Sequence, residues 1–208
     1  MIIDIIFILL VGLLLLVNLL YRSVVKTTKD TPNDARLSGF EIAKKLSSHI
    51  CESEPHIIKK SGRFLDHYNK DRNVIKLSPE VFDGEDVYAA TVAINTTLEA
   101  DSKRKYLPTY RKFNAFLVII SYVLIIAGAC MNRVLVIRLG FVLFILSFVI
   151  EFVLLSKLWG TEDDLNELYE YIKKEKLIKP IEEYKDNCIL LALSRLATLP
   201  YNFINYFR

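Results

Sequence analysis

FNAFLVIISYVLIIAGACMNRVLVIRLGFVLFILSFVIEFVLL, residues 113–155, decides the fold. Two apolar runs, Phe113 to Met131 and Val134 to Leu155, are separated only by Asn132 and Arg133. Each has about the 20 residues that an α-helix needs to cross a bilayer. So short a connection predicts a helical hairpin in the membrane.

Working outward, Ile5 to Leu20 is a third run without charge, interrupted only by Gly12 and Asn18. The preceding Met1-Ile2-Ile3-Asp4 has no basic side chain and no small-x-small cleavage pattern follows, so the run is expected to remain as an anchor. Arg22, Lys26, Lys29 and Arg36 follow the first run, Lys103, Arg104, Lys105, Arg111 and Lys112 precede the second, and Lys157 closes the third. By the positive-inside rule the soluble residues and the C-terminus face the cytoplasm; Arg133 and Arg138 oppose this but are fewer. Topology is sufficient explanation for the basic residues around 103–112, although they also suit anionic lipid. Cys188 to Leu199 is apolar apart from Ser194, Arg195 and Thr198 and stops at Pro200, too short for a full span and suited to the interface or to the hairpin's flank.

The expected organisation is an N-terminal transmembrane helix at 1–21, a cytoplasmic α+β domain at 22–112, the hairpin at 113–158 and C-terminal helices at 159–208, the last membrane-associated. With 208 residues there is room for one small soluble domain. Net charge is +3, with 27 basic and 24 acidic residues interspersed, so nucleic acid is excluded as a partner and the lipid bilayer is the expected one. Cys51, Cys130 and Cys188 are too scattered for a disulfide framework or a CxxC knuckle, and point to a reducing compartment. The seven glycines are not grouped, so there is no phosphate loop or dinucleotide fingerprint.

Within the soluble part, Ser38 with Glu41 is a capping-box signature, and Leu37 can staple onto Ile42. A helix follows with Phe40, Ala43, Leu46 and Ile50 on its buried face, ending near Cys51. Phe64 to Tyr68 and Asn73 to Leu77 read as an antiparallel pair joined by the polar loop Asn69 to Arg72. Ser78-Pro79-Glu80 starts a short helical turn, with Ser78 as its cap. Glu85 to about Lys105 reads as one long helix, acidic at its start and basic at its end, on which Asn95 and Glu99 project side by side. Thr161 to Asp164 caps a further helix ending in Lys173, Lys174 and Lys176, and Pro180 opens the last one.

Three segments carry a family resemblance: Ser38-Gly39-Phe40-Glu41-Ile42-Ala43, Gly62-Arg63-Phe64-Leu65-Asp66-His67-Tyr68 and Ile75-Lys76-Leu77-Ser78-Pro79-Glu80-Val81. In order and spacing they resemble the YugP-type membrane zinc metallopeptidases, from about Ser38 to Ala100 and more loosely to the C-terminal helices. The resemblance implies a mostly α membrane protein with three transmembrane helices and a small zincin-like α+β domain. It also implies a helix bearing His-Glu-x-x-His, in which two imidazoles one turn apart bind zinc and the glutamate activates the metal-bound water. The aligned residues here are Asn95-Thr96-Thr97-Leu98-Glu99. Asn95 and Glu99 stand at the imidazole positions and Thr96 at that of the general base, so no catalytic group and no zinc cofactor is expected. Glu99, Glu151 and Glu162 remain weak metal-ligand candidates, with Thr161 at the aligned position of the family's third ligand. Asp66, His67 and Tyr68 would mark the edge of a retained groove.

Glu151 lies inside the third apolar run, where a carboxylate is costly and marks a candidate site. Lys157 is less than two turns away, so a reach to the interface, or protonation, competes with that reading. His49, Cys51, His56 and His67 match no zinc spacing; His49 reads as a helix-end residue and His67 as a hairpin residue with local hydrogen bonds. The expectation is a catalytically inactive peptidase homologue in a bacterial cytoplasmic membrane, acting in binding or assembly. Its partner would be an active relative or another membrane protein. The rivals are an active peptidase using Glu99, Glu151 or Glu162 with a different metal, and a helical scaffold with a docking domain.

Overall fold

The computed structural model describes residues 2–60, 66–104, 106–159, 162–178, 196 and 199. The expected strand residues Phe64 and Leu65, Thr161, the helix from Pro180 and most of Cys188 to Leu199 lie outside them. The chain is mostly helical, with three long apolar helices and one small mixed sheet. Helix α1 (Ile2–Asp30) runs well past the Leu20 at which its apolar run stops. The hairpin is α5 (Leu107–Cys130) and α6 (Val134–Trp159). All three are long and apolar enough to cross a membrane.

The hairpin closes because Asn132 takes a left-handed turn at φ 51° and the Arg133 N–H donates to the Gly128 carbonyl at 2.8 Å. Asparagine tolerates that conformation better than most L-residues. Two glycines then let the helices approach: a Cβ on Gly140 would lie 2.8 Å from the Ser121 carbonyl oxygen, and one on Gly128 2.8 Å from the Ile137 nitrogen. Small residues at such crossings are what lipid-embedded helices use in place of a hydrophobic driving force. Phe7 of α1 stacks on Phe141 with ring centroids 4.0 Å apart, while Leu14 packs with Val118 and Phe144.

Helix α2 (Gly39–Ile50) starts where the capping box places it. The Glu41 N–H donates to Ser38 Oγ at 3.3 Å, and the Ser38 N–H donates to Glu41 Oε2 at 2.8 Å. Such a cap contributes about 1 kcal/mol. Its buried face is Gly39, Ile42, Ala43, Leu46 and Ser47. Phe40 and Ile50, expected inside, are only half-buried; Phe40 instead stacks on Phe82 at 4.8 Å. Gly39 is needed because a Cβ there would meet the Val81 carbonyl oxygen at 2.1 Å.

The expected antiparallel pair is present over its described residues, and a third strand that the sequence did not announce joins it. The sheet order is β1-β3-β2, with β1 (His56–Lys59) parallel to β3 (Val74–Leu77) and β2 (His67–Asn69) antiparallel to it. Between β2 and β3, Asn69 Oδ1 accepts from the Arg72 N–H at 3.2 Å and Asn73 is left-handed at φ 49°. Helix α3 (Pro79–Asp83) has proline at its first turn, but the Ser78 side chain makes no cap. It donates instead to Asp66 Oδ2 at 3.3 Å, while the Ser78 N–H donates to Asp66 Oδ1 at 2.7 Å.

Helix α4 is shorter than its sequence suggests, spanning Val87–Leu98. Asp86 caps it, accepting from the Ala89 N–H at 2.7 Å. The remainder of the expected helix becomes a tight connector, with a 3-10 turn at Ser102–Arg104. Arg104 is buried there, paired with Asp101 and donating from Nε to the Leu158 carbonyl of α6. Helix α7 (Glu162–Lys174) packs last. One core runs through Ile42 and Leu46 of α2, Ile75 of β3, Ile94 of α4, Leu107 and Leu158 of the hairpin, and Ile172 of α7. The layer built from α2, the sheet, α4 and α7 and the near ends of α5 and α6 therefore share a single interior.

Candidate functional site

Helix α4 is buried on nearly every side, as expected of a helix that is apolar almost all round. Among its buried residues are Asn95, Thr96 and Thr97, with Glu99 just beyond its end. Thr97 satisfies its hydroxyl locally, donating to the Ala93 carbonyl at 2.8 Å, as Thr91 does to Val87 at 2.7 Å. Thr96 is 1% exposed and carries no acid or base chemistry near neutral pH.

The carboxylate of Glu99 meets a cation from the next helix. Arg111, on the first turns of α5, is 1% exposed, and its Nη1 lies 2.7 Å from Glu99 Oε1. Its Nε lies 3.5 Å from Glu151 Oε1 on α6. Asn114, one turn further along α5, donates from Nδ2 to Glu151 Oε2 at 3.1 Å and to the Ser147 carbonyl at 3.0 Å. A charge removed from water requires a partner of opposite sign and further hydrogen bonds. Arg111 has both carboxylates, and Glu151 has Asn114 as well. One cluster thus joins α4, α5 and α6.

Two readings from sequence change here. Glu151 turns to Arg111 inside the helix contact and not outward to Lys157. Arg111 lies in the interior and so is more than a topology-setting charge at the membrane edge. The pattern was present as Arg111-x-x-Asn114 and Ser147-x-x-x-Glu151, each placing two polar groups on one helix face. Of the neighbouring basic residues, Lys112 and Lys103 do remain outside, pairing with Asp71 and Asp164, whereas Arg104 is buried as well.

The other candidates do not join this cluster. Asp66 is the bracket for Ser78, and Tyr68 is a core residue whose hydroxyl donates to Asn73 Oδ1 at 2.9 Å. His67 sits on β2 opposite Lys76. His49 stacks on Tyr171 at 3.8 Å, whereas His56 lies on β1 and Cys51 caps α2. Glu162 opens α7, with its side chain outside the described residues. A cavity of about 200 Å³ lies at the C-terminal end of α4, lined by His49, Leu98, Asp101, Lys103, Asp164 and Tyr171 among others. Burial raises the pKa of Tyr171.

These donors do not fit a zinc ion. Helix α4 offers an amide, a hydroxyl and a carboxylate already in contact with a guanidinium. A divalent ion about 4 Å from that unit charge would be repelled by on the order of 8 kcal/mol at an effective dielectric constant of about 20. Among the described residues no three His, Cys, Asp or Glu side chains converge to hold a metal.

Compared with known proteins, residues 3–161 match a family model described as "Putative neutral zinc metallopeptidase". No curated protein and no solved structure matches the chain.

Proposed function

The chain belongs to the neutral zinc metallopeptidase family, and from that membership we propose that it is a catalytically inactive homologue, kept for binding or complex assembly in a membrane. The observation that carries this reading is the contact of Glu99 with Arg111 at 2.7 Å, just past the end of a helix whose other two motif positions are Asn95 and Thr96. Water activation needs a Lewis acid with an open position and a base beside it. Neither requirement is met by an amide, a hydroxyl and an ion-paired carboxylate.

The proposed arrangement has the first anchor at 1–21, the peptidase-like domain at 22–112 in the cytoplasm, the hairpin at 113–158 and the C-terminal helices at 159–208. The membrane would be the bacterial cytoplasmic membrane, and the partner an active related peptidase or another membrane protein. Asp66, His67 and Tyr68 would border one binding edge; the cavity beyond Leu98 is a second concavity for the same role.

The second reading, an active peptidase with substituted ligands, draws on one observation: Glu99 and Glu151 do approach a common point, although Arg111 stands between them. Elemental analysis of the purified full-length protein, paired with an assay on an unfolded polypeptide, separates the two. The inactive reading expects zinc well below one equivalent and no cleavage. Stoichiometric zinc that disappears in Glu99→Gln, accompanied by cleavage, would falsify it.

A further inference from the structure

The geometry points to Arg111 as a built-in cation that takes over the structural duty of a metal, tying α4 to the membrane hairpin through Glu99 and Glu151. This deepens the reading above by naming what holds the site together where a metal is not accommodated. A zinc site in such a fold gathers donors from separate elements onto one positive centre, and its binding energy is folding energy. Here the positive centre is a guanidinium that lies within ion-pair distance of two carboxylates at once. Glu99 comes from the end of α4 and Glu151 from α6, so the two contacts of 2.7 and 3.5 Å bridge elements distant in sequence. Asn114 fixes the second carboxylate from α5 itself. The cluster lies beside the shared core residues Leu98, Leu107 and Leu154, so its loss would loosen the joint between the soluble layer and the hairpin.

The two carboxylates predict a specific asymmetry. Removing Arg111 alone strands two buried acids, whereas neutralising all three partners removes the demand for a cation. The test is thermal unfolding of the full-length chain in nanodiscs, followed by the fluorescence of its single tryptophan, Trp159. Wild-type Tm is expected to be the same in excess EDTA and in excess zinc. Arg111→Met should lower it by on the order of 10 °C, and Glu99→Gln/Arg111→Met/Glu151→Gln should recover more than half of that. If Arg111→Met does not accumulate, recovery of folded protein by the triple variant is the same result.

A wild-type Tm that falls in EDTA, or a triple variant no better than Arg111→Met, overturns the proposal. The proposed inactivity stands or falls separately: cleavage by a protein whose Tm ignores EDTA would sink inactivity and leave the arginine assignment intact. The opposite pair of results would do the reverse.

Discussion

Asn114 Nδ2 lies 3.1 Å from Glu151 Oε2, so an uncharged amide on one membrane helix steadies a carboxylate on the next. Both residues are buried. A hydrogen bond to a charged group is worth about 1.5–3 kcal/mol, and removing it leaves the acceptor without that donor. Asn114→Leu is therefore expected to lose about that much stability in denaturant unfolding of the detergent-solubilised protein. Ser156→Ala, which removes a hydroxyl bonded only within its own helix on the exposed face, is the control and should change nothing measurable. Equal effects at both positions would contradict the account of the cluster.

Helix crossing supplies a second comparison. A Cβ on Gly140 would collide with the Ser121 carbonyl oxygen, whereas one on Gly12 meets nothing within 4 Å. Overpacking a close contact costs about 1–3 kcal/mol. Gly140→Val should lower the thermal midpoint by several degrees, and Gly12→Val should leave it in place.

The acid dependence of stability has a defined sign at Asp86. Burial, the largest cause, raises its carboxyl pKa, and the opposing hydrogen bond from Ala89 does not cancel this. A raised folded pKa means that the folded state holds the proton more tightly. Stability associated with Asp86 is thus lowest at neutral pH and increases as the pH falls through the folded pKa toward the unfolded value of about 3.9. Asn is as good a cap as Asp and carries no charge to bury. Asp86→Asn should match or exceed wild type at pH 7 by up to about 1 kcal/mol, discounted because the residue is only half-buried. That advantage should shrink on acidification, which a series of unfolding curves from pH 7 to pH 4 would reveal. An advantage that grows toward acid would be the wrong sign.

Membrane orientation is tested at the hairpin tip. Cys130 is exposed at the end of α5, next to the Asn132 turn, whereas Cys51 closes α2 in the soluble layer. With the other cysteines changed to serine, an impermeant thiol reagent should label Cys130 on intact cells and Cys51 only after permeabilisation. The reverse order would place the soluble layer outside.

The membrane helices were readable because uninterrupted apolarity has one cheap solution in lipid, and α2 because Ser38 and Glu41 state its first turn in two residues. Strand β1 was not, since four residues with a mostly exposed edge leave no alternation to detect. Helix α4 read as too long because local propensity continues past Leu98. What ends it is tertiary: Arg104 reaching the Leu158 carbonyl and Asp101 pairing with Arg104. The expectation of a weakened motif at Asn95, Thr96 and Glu99 comes from the sequence alone. The role of Arg111 was hidden, because a basic residue beside an apolar run serves equally well as a topology signal. Only its contact with a carboxylate on a later helix tells the two apart.

The interior shared by α2, the hairpin and α7 also sets an order of assembly during synthesis. Ile42 leaves the ribosome long before Ile172, with both helices of the membrane hairpin between them. The early half of the soluble layer must therefore wait, its apolar face unfinished, until the translocation machinery has delivered Leu107 and Leu158 and α7 has emerged. In that interval the nascent chain exposes an unfinished apolar face, the condition under which aggregation competes with folding.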